Sequence, residues 1–179
     1  MRKVIKGQGF ILRPFKRTDY KILAKKINHR DVYRYTRNIP YPYKESDAKK
    51  FLNSILSEYK KKNINSYHLA IIINNEIAGS VSFIKIEPGH KAEIGYWLAK
   101  DHWGKGIMLV AVKKIVAIGF KDFKLNKIFA HVLVANKRSY KVLIKNGFKK
   151  EGLLIQHVKK DGKLKDEYIL GKYKYGNRN

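Results

Sequence analysis

The chain has 179 residues, of which 40 are lysine or arginine and 14 are aspartate or glutamate, so its formal net charge is +26 at pH 7. It contains no cysteine, which excludes disulfide bonds, thiolate zinc sites and a cysteine nucleophile. This length predicts one domain over residues 1–179 with a sizeable core, and no apolar run approaches the roughly 20 residues that span a membrane. We therefore expect a cytoplasmic protein with no secretory signal and no membrane contact.

The positive charge is spread along the chain rather than gathered in one tail. A basic surface attracts the phosphates of a cofactor, of RNA or of a ribosome. The alternative is that the lysines reflect only a proteome rich in lysine and isoleucine. The sequence leaves both interpretations open.

Apolar spacing in the first half of the chain predicts a short strand, three helices and then a hairpin. Two of the helices begin near residue types that favour helix starts, Thr18 or Asp19 and Ser46 or Asp47. The predicted elements are a strand at 9–14, helices at 18–27, 32–36 and 46–59, and strands at 67–73 and 77–86.

The second half of the chain alternates strands with helices. A helix at 139–145 ends at Asn146-Gly147, which is typical of a helix C-terminus. The other predicted elements are strands at 92–98 and 127–134, a helix at 107–120, and closing strands at 148–157 and 164–173. This order predicts a mixed α/β domain around one central sheet, in which residues 175–179 fray.

The junction between the strand at 92–98 and the helix at 107–120 carries the first functional signal. Trp103-Gly104-Lys105-Gly106 joins the two elements. Glycines at such a junction let backbone N–H groups point outward together, and the N-terminus of the helix adds partial positive charge. We therefore predict a site for a pyrophosphate and an enzyme that binds a nucleotide cofactor.

Further motifs follow one another in a fixed order along nearly the whole chain. They are Leu12-Arg13-Pro14, Pro40-Tyr41-Pro42-Tyr43, Glu93-Ile94-Gly95-Tyr96-Trp97, the loop Trp103-Gly104-Lys105-Gly106, Asn136-x-x-Ser139 and Lys145-Asn146-Gly147-Phe148. In this order the chain resembles the GCN5-related N-acetyltransferase (GNAT) superfamily, in its RimJ/RimL-like branch of ribosomal-protein N-terminal acetyltransferases. The resemblance implies a single α/β domain whose twisted, mostly antiparallel sheet of about seven strands splays apart at the cofactor site. It also implies acetyl-CoA as cofactor and a primary amine as acceptor.

The resemblance also implies which residues hold the cofactor. Backbone groups of residues 96–98 would pair with the pantetheine arm as a short extra strand does, and residues 104–109 would wrap the pyrophosphate. Where the family has glycine or alanine, then often threonine and glutamate, this chain has Met108, Leu109 and Val110, so we expect mostly backbone contacts there. The predicted cofactor-binding residues are Tyr96, Trp97, Leu98, Gly104, Lys105, Gly106, Ile107, Met108, Leu109, Asn136 and Ser139.

Asn136 and Ser139 stand at the start of the helix at 139–145. The family role of Asn136 is a hydrogen bond to the cofactor arm, and helix N-capping is a compatible second role. The resemblance gives Ser139 the role of general acid toward the leaving thiolate, whereas a serine that only satisfies the backbone is the alternative. Many relatives outside the branch use a tyrosine four residues later, where this chain has Leu143.

The reaction also needs a base, because an amine at neutral pH must lose a proton before it attacks a thioester. Glu93 is the leading candidate, since a carboxylate in mid-strand needs a reason to be buried. It shares one strand face with Gly95 and Trp97, and a salt bridge to a lysine is the alternative. His157 is the second candidate, one residue before the position, here Val158, where the branch can place an acidic base.

The acceptor side of the family is formed by the first helices, the loop between them and the last hairpin. In this chain these segments contain a set of four aromatic residues and residues 156–166. We therefore predict that they form a partly aromatic groove; the alternative is that the aromatic side chains only pack within the loops. Four other histidines, at 68, 90, 102 and 131, lack metal-ligand spacing. We therefore expect no metal and interpret them as structural or surface residues. The aromatic set is Tyr33, Tyr35, Tyr41 and Tyr43.

Three functions remain open. The favoured one is acetylation of a protein N-terminus, and a ribosome-bound substrate fits the charge because rRNA attracts a basic enzyme. The second is acetylation of a small amine, such as a polyamine, an amino acid or an antibiotic. The third is a non-catalytic module that binds RNA or the ribosome on the same scaffold. The sequence does not distinguish a monomer from a homodimer.

Overall fold

The computed structural model describes residues 4–175, which form one eight-stranded sheet and five α-helices. The strands are β1 (Ile5–Lys6), β2 (Ile11–Pro14), β3 (Tyr67–Ile73), β4 (Glu76–Glu87), β5 (Lys91–Leu98), β6 (Lys127–Leu133), β7 (Lys149–Lys160) and β8 (Lys163–Tyr173). The helices are α1 (Tyr20–Ile27), α2 (Arg30–Tyr35), α3 (Glu45–Glu58), α4 (Ile107–Lys121) and α5 (Lys137–Lys145).

The strands lie in the order β1-β2-β3-β4-β5-β6-β8-β7, and every neighbouring pair is antiparallel except β5 and β6. The parallel pairing of β5 with β6 covers only three residues of each strand, Lys91–Glu93 and Lys127–Phe129. Beyond those pairs the two strands diverge, although β5 continues to Leu98 and β6 to Leu133. The sheet therefore opens in its middle.

Helices cover both faces of the sheet, because successive side chains of a strand point to opposite faces. On β5, Ala92, Ile94 and Leu98 belong to the core beneath α4, while Trp97 belongs to the core beneath α1 and α3. Glu93 alternates with the first set and so lies on the same face as Trp97, as predicted. This face carries the carboxylate toward α1 and α3 rather than toward α4.

The predicted fold is confirmed: the chain folds as one mixed α/β domain with a mostly antiparallel, splayed sheet. The strand at 67–73 has the predicted bounds, and the helix at 107–120 ends one residue later, at Lys121. The sequence prediction missed β1, which has only two residues and therefore no periodicity to reveal it. The predicted fraying at 175–179 falls almost entirely on residues 176–179, which lie outside the described residues.

No helix within residues 4–175 is long and apolar enough to cross a membrane.

Candidate active site

A cavity of about 870 Å³ opens where β5 and β6 diverge. Both diverging strands line it, together with α2, the loop that follows α2, the first turn of α4 and one side of α5. The short parallel pairing of β5 and β6 thus positions the cavity between the two halves of the sheet.

The loop between β5 and α4 forms one wall of the cavity. Gly104 and Gly106 adopt φ angles of 78° and 74°, and a Cβ added at either position would meet no described atom within 4 Å. Nε1 of Trp103 donates a hydrogen bond to the backbone oxygen of Leu98 at 2.7 Å, which ties the loop to the end of β5. Gly106 is the N-cap of the 15-residue helix α4, so first-turn N–H groups without a helical partner border this wall.

Cationic side chains of α5 stand beside this wall. Arg138, Lys141 and Lys145 line the cavity from one helical face, and the guanidinium of Arg138 lies 4.6 Å from the centre of the Trp103 ring. A helix N-terminus, open backbone and nearby cations are together the chemistry that binds a pyrophosphate. The residues present therefore fit the predicted cofactor.

A pair of hydroxyl groups spans the opening between β5 and α5. The Tyr96 hydroxyl lies 2.8 Å from Oγ of Ser139 and 3.3 Å from the Ser139 backbone oxygen. Burial raises the pKa of the Tyr96 hydroxyl more than the hydrogen bond with Ser139 lowers it, so Tyr96 stays protonated. This contact fixes the position of the Ser139 hydroxyl at the cavity wall.

A carboxylate–imidazole pair occupies the sheet face on the other side of the opening. Oε1 of Glu93 lies 3.1 Å from Nδ1 of His131, and Oε2 accepts a hydrogen bond from Nζ of Lys85, also at 3.1 Å. Burial alone would raise the pKa of Glu93, but the hydrogen bonds from His131 and Lys85 outweigh it and hold the pKa below its ordinary value. Because an ionised carboxylate only accepts, Nδ1 of His131 is the donor in this contact.

A second buried carboxylate, Glu167 of β8, lines the same cavity with only 1% of its surface exposed. Its Oε2 has no hydrogen-bond partner among residues 4–175. The nearest cation is Arg37, whose NH1 lies 3.6 Å from Oε2 of Glu167 and 3.9 Å from Oε1 of Glu93. These separations allow an ion pair but exceed hydrogen-bond length.

Known proteins are similar to this chain in sequence and in fold. Residues 10–149 match the family described as an acetyltransferase (GNAT) domain. The chain belongs to the GNAT acetyltransferase family. It is 33% identical to the probable N-acetyltransferase YjcK of Bacillus subtilis (strain 168), over 93% of this chain and 95% of that protein. It is 27% identical to a spermidine N(1)-acetyltransferase of Vibrio cholerae, again over 93% and 95%.

Among solved structures, the ribosomal-protein-S5-alanine acetyltransferase from Vibrio fischeri has a TM-score of 0.86, 25% sequence identity and 96% of each chain covered. The predicted family is therefore confirmed. As a GNAT enzyme, the chain is an acetyl-CoA-dependent N-acetyltransferase.

Most of the predicted cofactor-binding residues of this GNAT domain line the cavity. The side chain of Trp97 is buried in the core with α1 and α3, which leaves its backbone for the cofactor. Met108 is also buried, and only Lys105 is absent from the cavity wall. The wall includes Tyr96, Trp97, Leu98, Gly104, Gly106, Ile107, Met108, Leu109, Asn136 and Ser139, and their contacts to coenzyme A stay predictions.

Asn136 has a structural role at the start of α5. Its Oδ1 accepts a hydrogen bond from the backbone N–H of Ser139 at 3.0 Å, which is the predicted N-cap. Its Nδ2 donates to the backbone oxygen of Tyr35 at 3.0 Å, which connects α5 to α2. One N–H of the amide remains for the predicted bond to the cofactor arm.

His157, the second candidate base, is exposed and does not line the cavity. Its ring lies nearly parallel to that of His131, with the ring centres 6.1 Å apart. His157 therefore faces Glu93 only through His131. This arrangement favours Glu93 over His157 as the group that acts on the acceptor.

The aromatic groove predicted on the acceptor side forms only in part. Tyr35 and Tyr43 line the cavity, but Tyr43 is largely buried in the core. Tyr33 packs against Tyr41 instead, with ring centres 5.7 Å apart, and its hydroxyl hydrogen-bonds to Asp161 at the tip of the β7–β8 hairpin. Tyr33 and Tyr41 thus support the predicted alternative of loop packing.

The residues of the cavity that the sequence does not identify include Arg37, His131 and Glu167. His131 was interpreted as structural or surface because it has no metal-ligand spacing, yet it contacts Glu93. One sequence signal was present, at His131, which interrupts the apolar strand Lys127–Leu133; Glu167 follows Lys165 and Asp166 and has no such signal. The signal at His131 could not be used without the register of β6 against β5 and β8, which places these side chains on the face of Glu93.

Proposed function

We propose that this chain acetylates the N-terminal α-amine of a protein, by direct attack of that amine on the acetyl group. Ser139 is the general acid and Glu93, oriented by His131, is the base. The observation that carries the proposal is that one cavity is lined both by the Tyr96–Ser139 hydroxyl pair and by the Glu93–His131 pair.

Acetyl-CoA, when bound, supplies the acetyl group as a thioester. The Glu93–His131 pair takes the proton that the acceptor's ammonium must lose, and the carboxylate stabilises the imidazolium that forms if the proton rests on His131. The Ser139 hydroxyl donates a proton to the leaving sulfur, and Tyr96 holds that hydroxyl in place. A C–N bond thus forms as the C–S bond breaks, and the nitrogen passes its second proton to the Ser139 oxygen, which restores the hydroxyl.

The protein N-terminus is favoured as acceptor by the similarity to the Vibrio fischeri ribosomal-protein acetyltransferase, at 25% identity over 96% of both chains. The charge of +26 supports a substrate presented near rRNA. A small amine is the second candidate, because a spermidine acetyltransferase is 27% identical over 93% of this chain. The basic surface repels a free polyamine, which makes this candidate the weaker one.

Turnover of acetyl-CoA against two panels tests the proposal. One panel holds peptides that differ in their N-terminal residue, and the other holds spermidine, amino acids and aminoglycosides. We expect kcat/KM at least tenfold higher for the best peptide than for the best small amine. The reverse ranking would assign the small-molecule function, and no turnover with either panel would favour the non-catalytic module.

The catalytic assignment has its own variants. Ser139→Ala and Glu93→Gln should each lower kcat roughly 100-fold, which is typical of losing a general acid or base. Ser54→Ala and Glu76→Gln, at exposed positions on α3 and at the start of β4, are matched controls that should keep full turnover. Unchanged kcat in both active-site variants would show that these residues are not the acid and the base.

A further inference from the structure

Two carboxylates of a strongly basic protein lie buried on one face of the sheet inside the cavity. Glu93 pairs with Phe129 of β6, and Glu167 pairs with Leu133 of the same strand, four residues further on. Side chains four residues apart on a strand share a face. Four acidic residues line the cavity, and among them only Glu93 and Glu167 are buried, so two negative charges are concentrated on this face of the sheet.

The two carboxylates differ in what they already bind. Both oxygens of Glu93 are engaged, one by His131 and one by Lys85, each at 3.1 Å. Oε2 of Glu167 is buried and has no hydrogen-bond partner among the described residues. Leaving a buried carboxylate oxygen without a donor is costly, so Glu167, which lines the cavity, has an acceptor atom that is free to bind a donor.

The cation nearest to Glu167 does not satisfy it. NH1 of Arg37 lies 3.6 Å from Oε2 of Glu167 and 3.9 Å from Oε1 of Glu93, so it stands between the carboxylates without a hydrogen bond to either. One third of the Arg37 side chain is exposed, and it follows α2 in a loop at the cavity wall. Arg37 can therefore turn outward without breaking a hydrogen bond to either carboxylate.

We infer that Glu167 is the binding residue for the acceptor's ammonium group, which takes the place that Arg37 holds between Glu167 and Glu93. The ammonium donates a hydrogen bond to Oε2 of Glu167 and lies beside the Glu93–His131 pair, which removes its proton. Glu167 thus selects a cationic primary amine, and Arg37 moves outward as the amine enters. This inference rests on the proposed function in one respect, that the acceptor is an amine.

Binding to the wild-type protein gives the first test. Calorimetry on protein saturated with coenzyme A compares an alanine-initiated tetrapeptide amide with the analogue that lacks only the amino group. We expect the amine to bind at least tenfold more tightly than its analogue. Equal affinities, or no measurable binding of the amine, would overturn the inference, and this comparison needs no variant to fold.

Substitution of Glu167 gives the second test. Glu167→Gln should weaken the binding of the amine peptide at least tenfold and raise the KM for that peptide. The dissociation constant for coenzyme A should stay unchanged. Glu76→Gln removes one negative charge from an exposed site and should change neither value. Unchanged amine affinity in Glu167→Gln, or an equal loss for coenzyme A, would overturn the inference.

Substitution of Arg37 tests the displacement. Arg37→Met removes the competing cation and should tighten binding of the amine peptide several-fold, whereas weaker binding would show that Arg37 supports the site rather than yielding it. The outcomes separate the two proposals. If amines are acetylated but Glu167→Gln keeps the wild-type KM, only the inference fails; if no amine is acetylated, the proposed function fails.

Discussion

The buried residue His68 makes the stability of this fold depend on pH. It lies in β3 with 9% of its surface exposed, and its ring packs edge-to-face against Phe51 with the ring centres 5.4 Å apart. Burial lowers the pKa of His68 from its ordinary 6.5 to about 4, although the charge of Glu58 acts in the opposite direction. The folded protein therefore keeps this imidazole neutral where the unfolded chain protonates it.

We predict that the free energy of unfolding falls as the pH drops from about 6.5 to about 4, because in this window only the unfolded state binds the proton. The contribution of His68 is at most about 3 kcal/mol, and it is constant above and below the window. Urea unfolding between pH 4 and 7.5 measures it. His68→Gln should flatten the pH dependence relative to wild type, whereas His90→Gln, at an exposed site, should not. A wild-type slope in His68→Gln would contradict the prediction.

Among single residues, the sequence identifies those that belong to a local motif. It does not identify those whose role depends on contacts with residues distant in the chain. Ser139, Asn136 and Glu93 stand at positions that motif spacing identifies. The contacts of Tyr96 with Ser139 and of His131 with Glu93 join residues 43 and 38 positions apart. Such contacts depend on strand register and on the angle between α5 and the sheet, which one sequence does not contain.

Glycine has two different uses in and next to α4. At Gly119, inside the helix, a Cβ would come within 2.8 Å of Phe83 and 2.9 Å of Ile128, so the missing side chain lets α4 approach the sheet closely. At Gly106, before the helix, a Cβ would meet no described atom within 4 Å, but the φ of 74° is left-handed. Gly119 is therefore required by the close packing of α4 on the sheet, whereas Gly106 is required by the left-handed backbone conformation.

We expect the two positions to respond differently to alanine. Gly119→Ala should lower the free energy of unfolding by about 1–3 kcal/mol through overpacking, less the roughly 1 kcal/mol that alanine adds to a helix. It should leave affinity for coenzyme A unchanged. Gly106→Ala should weaken the binding of coenzyme A about fivefold or more. Backbone strain of about 1 kcal/mol shifts the N–H groups of the loop between β5 and α4, which would bind the pyrophosphate. Denaturation and calorimetry measure both quantities, and equal loss of coenzyme A affinity in the two variants would contradict this view of the loop.

Elements with a long, regular pattern were predicted to within a few residues. The strand Tyr67–Ile73 is a nearly continuous apolar run, and the helix Ile107–Lys121 has apolar residues at helical spacing. The two-residue strand Ile5–Lys6 has no period to detect. The divergence of β5 from β6 was implied only by the family resemblance, because nothing local in either strand states where their pairing stops.

The charge of +26 is a property of the whole molecule, and its function is separable from that of the cavity. The acidic groups that would bind an amine are inside, while most lysines are exposed. The protein can thus attract an anionic surface over a long range and still accept a cation in its cavity.

If the charge brings the enzyme to rRNA, binding to a structured RNA hairpin should weaken roughly tenfold or more between 50 and 200 mM salt, because bound cations are released from the phosphates. Fluorescence anisotropy measures this dependence. Glu167→Gln should leave it unchanged, since the cavity is not involved. Affinity that is weak at low salt, or independent of salt, would assign the lysines to proteome composition instead.

The early end of the β5–β6 pairing has a consequence for the resistance of the protein to proteolysis. Three residue pairs join the half-sheet β1–β5 to the half-sheet β6–β8, and past Glu93 and Phe129 each strand offers an inner edge. A ligand that bonds to these edges completes the sheet, and it stabilises only the folded state, by an amount that grows with its concentration. We therefore expect resistance to proteolysis to rise with the concentration of coenzyme A.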